Sequence, residues 1–242
     1  MRTPGKRVCR KATRVRIPAH PRRAALLVAA VLIALAPVRR TALQQAGRDP
    51  VDAAKREFQQ GDFDAGLAIL DQSDRSGTPR GQSLDLRGSI LMEQKKLDEA
   101  LAALKAAHAA DPALFAPRLH IGDALLRQQK WEEARAAYDV VLRETNIIIS
   151  HEKLSFAVLM THLGAGDKAG AQSALERITF PTETAAYYYA QAAWAFANGN
   201  KREAEKWMRT AAEIFDERTT AWFARPFFEL GWIKRKPPLA TE

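Results

Sequence analysis

Between residues 50 and 217, apolar positions recur at the three- and four-residue spacing of amphipathic helices, in short runs broken by polar turns. The clearest stretch is Gly81 to Pro112. Leu84, Gly88 and Leu91 mark one stripe, and Leu97, Ala100, Leu104 and Ala107 mark a second before Asp111-Pro112 stops it. Lys95-Lys96 joins the two helices. Neither can bury its stripe alone, and the small residues at Gly88, Ala100 and Ala107 let backbones approach closely, so the hairpin is expected to pack on copies of itself.

The copies follow at a fixed distance. Phe63, Leu97 and Trp131 each open a second helix, and successive ones lie 34 residues apart. Gly88, Ala100, Leu104 and Ala107 are answered in the next copy by Gly122, Ala134, Tyr138 and Val141. With this period and these small and bulky places, the chain resembles the tetratricopeptide repeat family over about residues 47 to 217. The resemblance implies an all-α fold, a right-handed α-solenoid of about five helix hairpins. Repeats are placed near 47–80, 81–114, 115–148, 152–184 and 185–218.

Two places depart from the pattern. After repeat three, Thr145-Asn146 stands where Asp-Pro is expected and Ile147-Ile148-Ile149 follows, which sets repeat four three residues late. The three isoleucines are expected to plug the gap between hairpins. Gly164, Gly166 and Gly170 superficially resemble a phosphate loop, but a helix precedes them and no Lys-Ser/Thr pair follows, so they read as the turn of hairpin four. Residues 219–242 form an aromatic-rich C-terminal cap and tail. Trp222 would begin a further helix that Pro226 is expected to kink or break. Trp222, Phe223, Phe227, Phe228, Leu230, Trp232 and Ile233 either fold back into the solenoid as its cap or make a dimer or partner surface.

Charge changes the picture only at the amino terminus. The chain carries +9, but residues 1–40 hold eleven Lys/Arg and no Asp/Glu. The remainder has 26 basic residues (37 less 11) against 28 acidic ones, so the basicity belongs to a leader. That leader ends in an apolar run from Ala24 to Val38, carried by Ala24, Leu26, Leu27, Val31, Leu32, Ile33 and Leu35. Fifteen residues suit a signal core better than a spanning helix, which needs about 20. Pro37 after Ala34-Leu35-Ala36 argues against cleavage, so a signal and an uncleaved membrane anchor both stay open. In either case the charge order places the repeats outside the cytoplasm, periplasmic or held at the inner membrane, with residues 41–49 as linker to the 50–217 array. A basic disordered arm is the alternative. Cys9 precedes the apolar run, where it neither suits lipidation nor leaves a cysteine in a processed chain.

Chemistry is sparse. His20, His108, His120, His151 and His162 are not at metal-ligand spacing, and nucleophile-elbow, Walker and Rossmann patterns are missing. Asp98-Glu99, Glu132-Glu133 and Glu203/Glu205 open second helices, where negative charge suits the helix dipole. No catalytic residue, cofactor or metal is assigned. An unseen enzymatic site would announce itself as a polar pocket of perturbed groups, and binding of nucleic acid by the basic arm as a steep salt dependence; neither is the preferred reading.

The resemblance implies that first helices line a concave groove. Gln82, Asp85, Ser89, Met92 and Glu93 in repeat two, and Ala116, Leu119, Asp123, Leu126 and Arg127 in repeat three, take the inward positions. The family's carboxylate clamp is almost wholly missing, with Val51, Lys55, Asp85, Leu86, Ala116 and His120 in its places. Toward the carboxyl end the groove turns apolar, with Leu119, Leu126, Phe156, Met160, Leu163, Tyr189 and Phe196. The expected function is a non-enzymatic protein-binding or assembly scaffold of the cell envelope. A peptide or helix of a protein partner would lie on those residues, unless the chain's own tail fills the groove. Polar substitution of Phe156 and Phe196 is expected to abolish capture without unfolding the array.

Overall fold

The computed structural model describes residues 49–77 and 80–240, and the signal or anchor segment read in the leader therefore lies outside the described residues. Among the described residues there are eleven helices. They are α1 (Pro50–Gln60), α2 (Phe63–Ser76), α3 (Gly81–Glu93), α4 (Leu97–Ala110), α5 (Phe115–Arg127), α6 (Trp131–Glu144), α7 (Ile148–Gly164), α8 (Lys168–Glu176), α9 (Ala186–Ala197), α10 (Lys201–Ile214) and α11 (Glu217–Glu229). None of them is long and apolar enough to cross a membrane.

The first ten form five antiparallel hairpins, α1/α2 through α9/α10, each stacked on the next. Within a hairpin the small places set the approach. A Cβ on Gly88 would stand 2.5 Å from Leu104 Cγ, and one on Gly122 would collide with Tyr138 Cε1. Leu104, Tyr138, Ala100 and Ala134 are buried where these helices meet. Repeat four has Leu159 in the small place, and that side chain is also buried.

The hairpin turns share one backbone solution. Gly61, Lys95, Gln129, Gly166 and Gly199, one per hairpin, all have positive φ, between 58° and 84°. Three of the five are glycine, which adopts this left-handed conformation without steric cost. Lys95 and Gln129 adopt it against their Cβ, so the turn is imposed by the packing of the two helices it joins. Gly166 bears out the turn reading of the glycines in hairpin four: its neighbour Gly164 lies against the Trp131 ring, and Gly170 against His162 and Asp167.

Two local expectations are corrected. Ile147, Ile148 and Ile149 do not plug a gap; they stand 63%, 65% and 49% exposed at the start of α7. The insertion puts them ahead of the first buried residue of that helix, Leu154. Pro226 does not end α11, which runs through it to Glu229. The Leu230 amide bonds the Pro226 carbonyl at 2.9 Å, and the helix closes at Gly231 with φ +73°.

Candidate functional site

α11 does not extend the hairpin stack in the manner of the other helices. It contacts α7, α9 and α10, and its side chains reach α3 and α5. Its own sequence explains the start: Asp216 caps it, accepting from the Arg218 and Thr219 amides at 2.9 and 3.0 Å. The face it turns inward carries Ala221, Phe223, Ala224, Arg225 and Phe227, all buried.

The aromatic part of the seat is built by α7 and α9. Phe156 is 0% exposed, with its ring centroid 5.2 Å from Phe223, 6.0 Å from Trp222 and 6.3 Å from Phe227. Tyr189 lies 5.8 Å from Phe223 and 5.5 Å from Phe227. Phe196 meets Phe227 at 5.5 Å and stacks on Trp232 at 5.4 Å. Full burial of each phenylalanine contributes about 1.5–3 kcal/mol.

The polar part comes from the repeat period. Glu93 and Arg127 are the last residues of α3 and α5, one period apart, so neighbouring first helices set opposite charges side by side. The Glu93 side chain is 5% exposed, and it takes three cations. Arg127 and Arg225 lie at 3.1 Å and Lys236 at 3.2 Å. Arg127 also meets Glu229 at 3.3 Å, and Arg225 donates to the Pro238 carbonyl at 3.2 Å. Asp123 accepts from the Tyr138 hydroxyl at 2.5 Å and from Trp222 Nε1 at 3.4 Å.

These pairings govern the ionisation. Burial acts to raise the Glu93 carboxyl, but the charges of Arg127, Arg225 and Lys236 outweigh it and hold the group below its usual range. Glu229 goes the other way. Burial, helped by the nearby Glu93 and Asp123, raises it despite Arg127 and Arg225. Burial raises the Tyr138 hydroxyl strongly, and Asp123 adds to the effect. A polar cavity with perturbed groups is also what an enzymatic site would present. Here the shifts are accounted for by burial beneath α11 together with the ion pairs and hydrogen bonds that seat it.

Two of the cavities along the groove concern the inward positions. One, with room for about 130 Å³ of water-sized molecules, lies between the seat and the chain's tail, among Glu93, Asp123, Arg127, Trp222, Arg225 and Leu239. The other, about 370 Å³, lies between α1, α3 and α5, lined by residues that include Val51, Lys55, Phe58, Gln82, Asp85 and Ala116. The inward positions inferred for repeats two and three, Leu119 excepted, line one cavity or the other. His120 pairs with Asp85 at 2.9 Å and His162 with Asp167 at 2.8 Å. Among the described residues no group of three His, Cys, Asp or Glu could hold a metal ion.

The apolar groove residues divide. Leu126, Phe156, Met160 and Tyr189 are buried, while Leu119, Leu163 and Phe196 are partly buried and packed on the same core. That core includes Phe223, Phe227 and, at its margin, Trp222 and Trp232, so the aromatic tail belongs to the solenoid's interior. Phe156 lies in that core, so a polar residue at position 156 is expected to destabilise this half of the array as well as alter the groove. Sequence reasoning placed Glu93 and Arg127 inward but missed their partners Arg225, Glu229 and Lys236. The available signal was an arginine set among seven large apolar residues between Trp222 and Ile233.

A sequence model described as the tetratricopeptide repeat matches residues 91–146. None of the curated proteins matches the chain. Among solved structures, the chain is similar to a thermophilic tetratricopeptide-repeat protein of Thermus thermophilus. The TM-score is 0.58 at 16% identity, over 76% of this chain and 98% of that one. It is also similar to a tetratricopeptide-repeat protein of Parabacteroides merdae, with a TM-score of 0.53 at 18% identity over 77% of this chain and 74% of that one. Domains of this kind generally mediate protein–protein interaction through their extended concave surface. The chain thus has the fold of tetratricopeptide-repeat proteins, and its residues 91–146 match the sequence model of that repeat.

Proposed function

We propose that the chain is a non-catalytic protein-binding scaffold that holds a peptide or helix of its partner in the concave groove. The observation that carries this reading is the seating of α11. A helix lies on the first helices of the array with its aromatic side chains in an apolar half and its charged ones in a polar half, which is the helix-in-groove mode of recognition. The cleft between α1, α3 and α5 is the part of the groove that α11 leaves uncovered, and it supplies the first contact for a partner. The basic leader and apolar run support a working site in the cell envelope, with the repeats outside the cytoplasm.

A photo-crosslinking residue at Gln59 or Gln82, both exposed in the cleft, tests the groove; one at Lys105, exposed on α4, serves as control. One partner band from both cleft positions and none from Lys105, reproduced with the purified partner, is the expected result. Crosslinks of equal strength from Lys105 would refute groove binding. A reporter enzyme fused after Glu242, active only outside the cytoplasm, tests the location.

A further inference from the structure

The helix that fills the groove is attached differently from the ten that build it. The hairpin helices meet through small residues and interlocked apolar side chains, with Gly88 against Leu104 and Gly122 against Tyr138. α11 is held to α3 and α5 by long charged and polar side chains: Arg225 and Lys236 on Glu93, Glu229 on Arg127, Trp222 on Asp123. Buried ion pairs give little net stability for the desolvation they require, and their best-attested use is to fix register or serve a switch. The aromatic packing of Phe223 and Phe227 on Phe156, Tyr189 and Phe196 would serve a cap by itself, and the ion pairs come in addition to it.

Its ends are also self-contained. The N-cap is its own Asp216, its C-terminal turn is its own Gly231, and Arg235 pairs with Glu217 at 3.0 Å within the same segment. The helix therefore keeps its caps when it leaves the seat. What it leaves behind is specific: the Glu93 carboxylate, with Arg127 from the array beside it, next to aromatic slots at Phe156, Tyr189 and Phe196.

We propose that α11 is a displaceable occupant of the groove, and that its seat accepts a partner helix of the same chemistry. That helix presents an arginine to Glu93 and aromatic side chains, spaced as Trp222, Phe223 and Phe227 are around Arg225, to Phe156 and Tyr189. The inference rests on the groove-binding reading and adds the partner's chemistry to it. An acidic or purely aliphatic helix does not fit, because the carboxylate at the groove floor needs a cation from whatever covers it. The covered seat keeps the aromatic slots from indiscriminate binding until a competing helix arrives.

The test uses a labelled synthetic peptide of residues 216–238, titrated by fluorescence anisotropy into the whole chain and into its Arg225→Glu variant. The variant sets two carboxylates against each other and loosens the internal helix. It is expected to bind the peptide at least about tenfold more tightly than the unaltered chain. Adding Glu93→Gln to that variant is expected to remove most of the gain. Equal affinities in two chains with the same circular dichroism would overturn the proposal. Hydrogen exchange on the unaltered chain gives a second reading that does not depend on how the variant folds. Amides of α11 are expected to exchange at least about tenfold faster than those of α9, and exchange as slow as that of α9 would overturn the proposal. Loss of peptide binding while Gln82 still crosslinks a partner would sink this inference and leave groove binding intact.

Discussion

Replacing Phe156 by alanine removes a ring on which the C-terminal third of the molecule converges. Phe156 is fully buried and touches the rings of Trp222, Phe223 and Phe227, the first and last of them near 6 Å and Phe223 edge-on at 5.2 Å. Phenylalanine-to-alanine changes in a packed core cost about 3–5 kcal/mol, the upper half where the site does not collapse. Collapse is resisted here, because α7 is fixed by α8 and α9 while α11 is pinned by Arg225 on Glu93. A loss of about 4 kcal/mol is expected. Urea unfolding followed by circular dichroism should show the midpoint falling by about 1.3–4 M, given slopes of about 1–3 kcal/mol per molar for chains of this class. Ile148→Ala, at a position 65% exposed, should stay within about 0.5 kcal/mol and serves as control. If Phe156→Ala costs less than about 1 kcal/mol, the ring is not the floor of the α11 seat and the reasoning fails.

Other expectations can be checked on the same material. Gly122→Ala gains about 1 kcal/mol of helix propensity but drives a Cβ into the buried Tyr138 ring, whose hydroxyl is tied to Asp123, so overpacking of about 1–3 kcal/mol should win and lower the melting temperature. Lys95→Gly and Gln129→Gly relieve left-handed backbone at φ 63° and 58° and should each stabilise by up to about 1 kcal/mol in calorimetry. Glu152 accepts hydrogen bonds from the Thr182 hydroxyl, the Glu183 and Thr184 amides and the Thr184 hydroxyl at 2.6–2.9 Å. Burial acts to raise its carboxyl, but these bonds prevail and hold it below its ordinary value. A depressed folded pKa means stability that is present above the unfolded value, about 4.3, and lost as pH falls through the folded one. The melting-temperature difference between the unaltered chain and Glu152→Gln should therefore be largest near neutrality and shrink in acid; a pH-independent difference would contradict the assignment.

The helices and their pairing were legible because a 34-residue period and its small places are local signals that each hairpin repeats. Where a residue type departs from the period, the sequence misled. The left-handed turns at Lys95 and Gln129 are not marked by glycine, and Pro226 sits inside a helix whose other bonds hold it. The Ile147 triplet read as gap-filling because β-branched apolar residues usually are buried, yet it stands exposed ahead of the buried part of α7. The apolar groove residues could be named from the family frame. The occupant of the groove could not be chosen, since Arg225 and Glu93 lie 132 residues apart and no periodicity links them. Charge complementarity between the tail and the ends of α3 and α5 exists only once the superhelix has curved.

That same pair makes α11 a chord across an arc. A solenoid bends by summing small rotations at each interface between neighbouring repeats, so an open array behaves as a soft spring. Fastening the helix that follows repeat five to repeat two through Arg225 and Glu93 restrains that sum over the repeats between. The α3–α5 side of the cleft lies within that span and is then mechanically tied to whether the chord is attached. A partner that unseats α11 would feel a different cleft from the one it first touched.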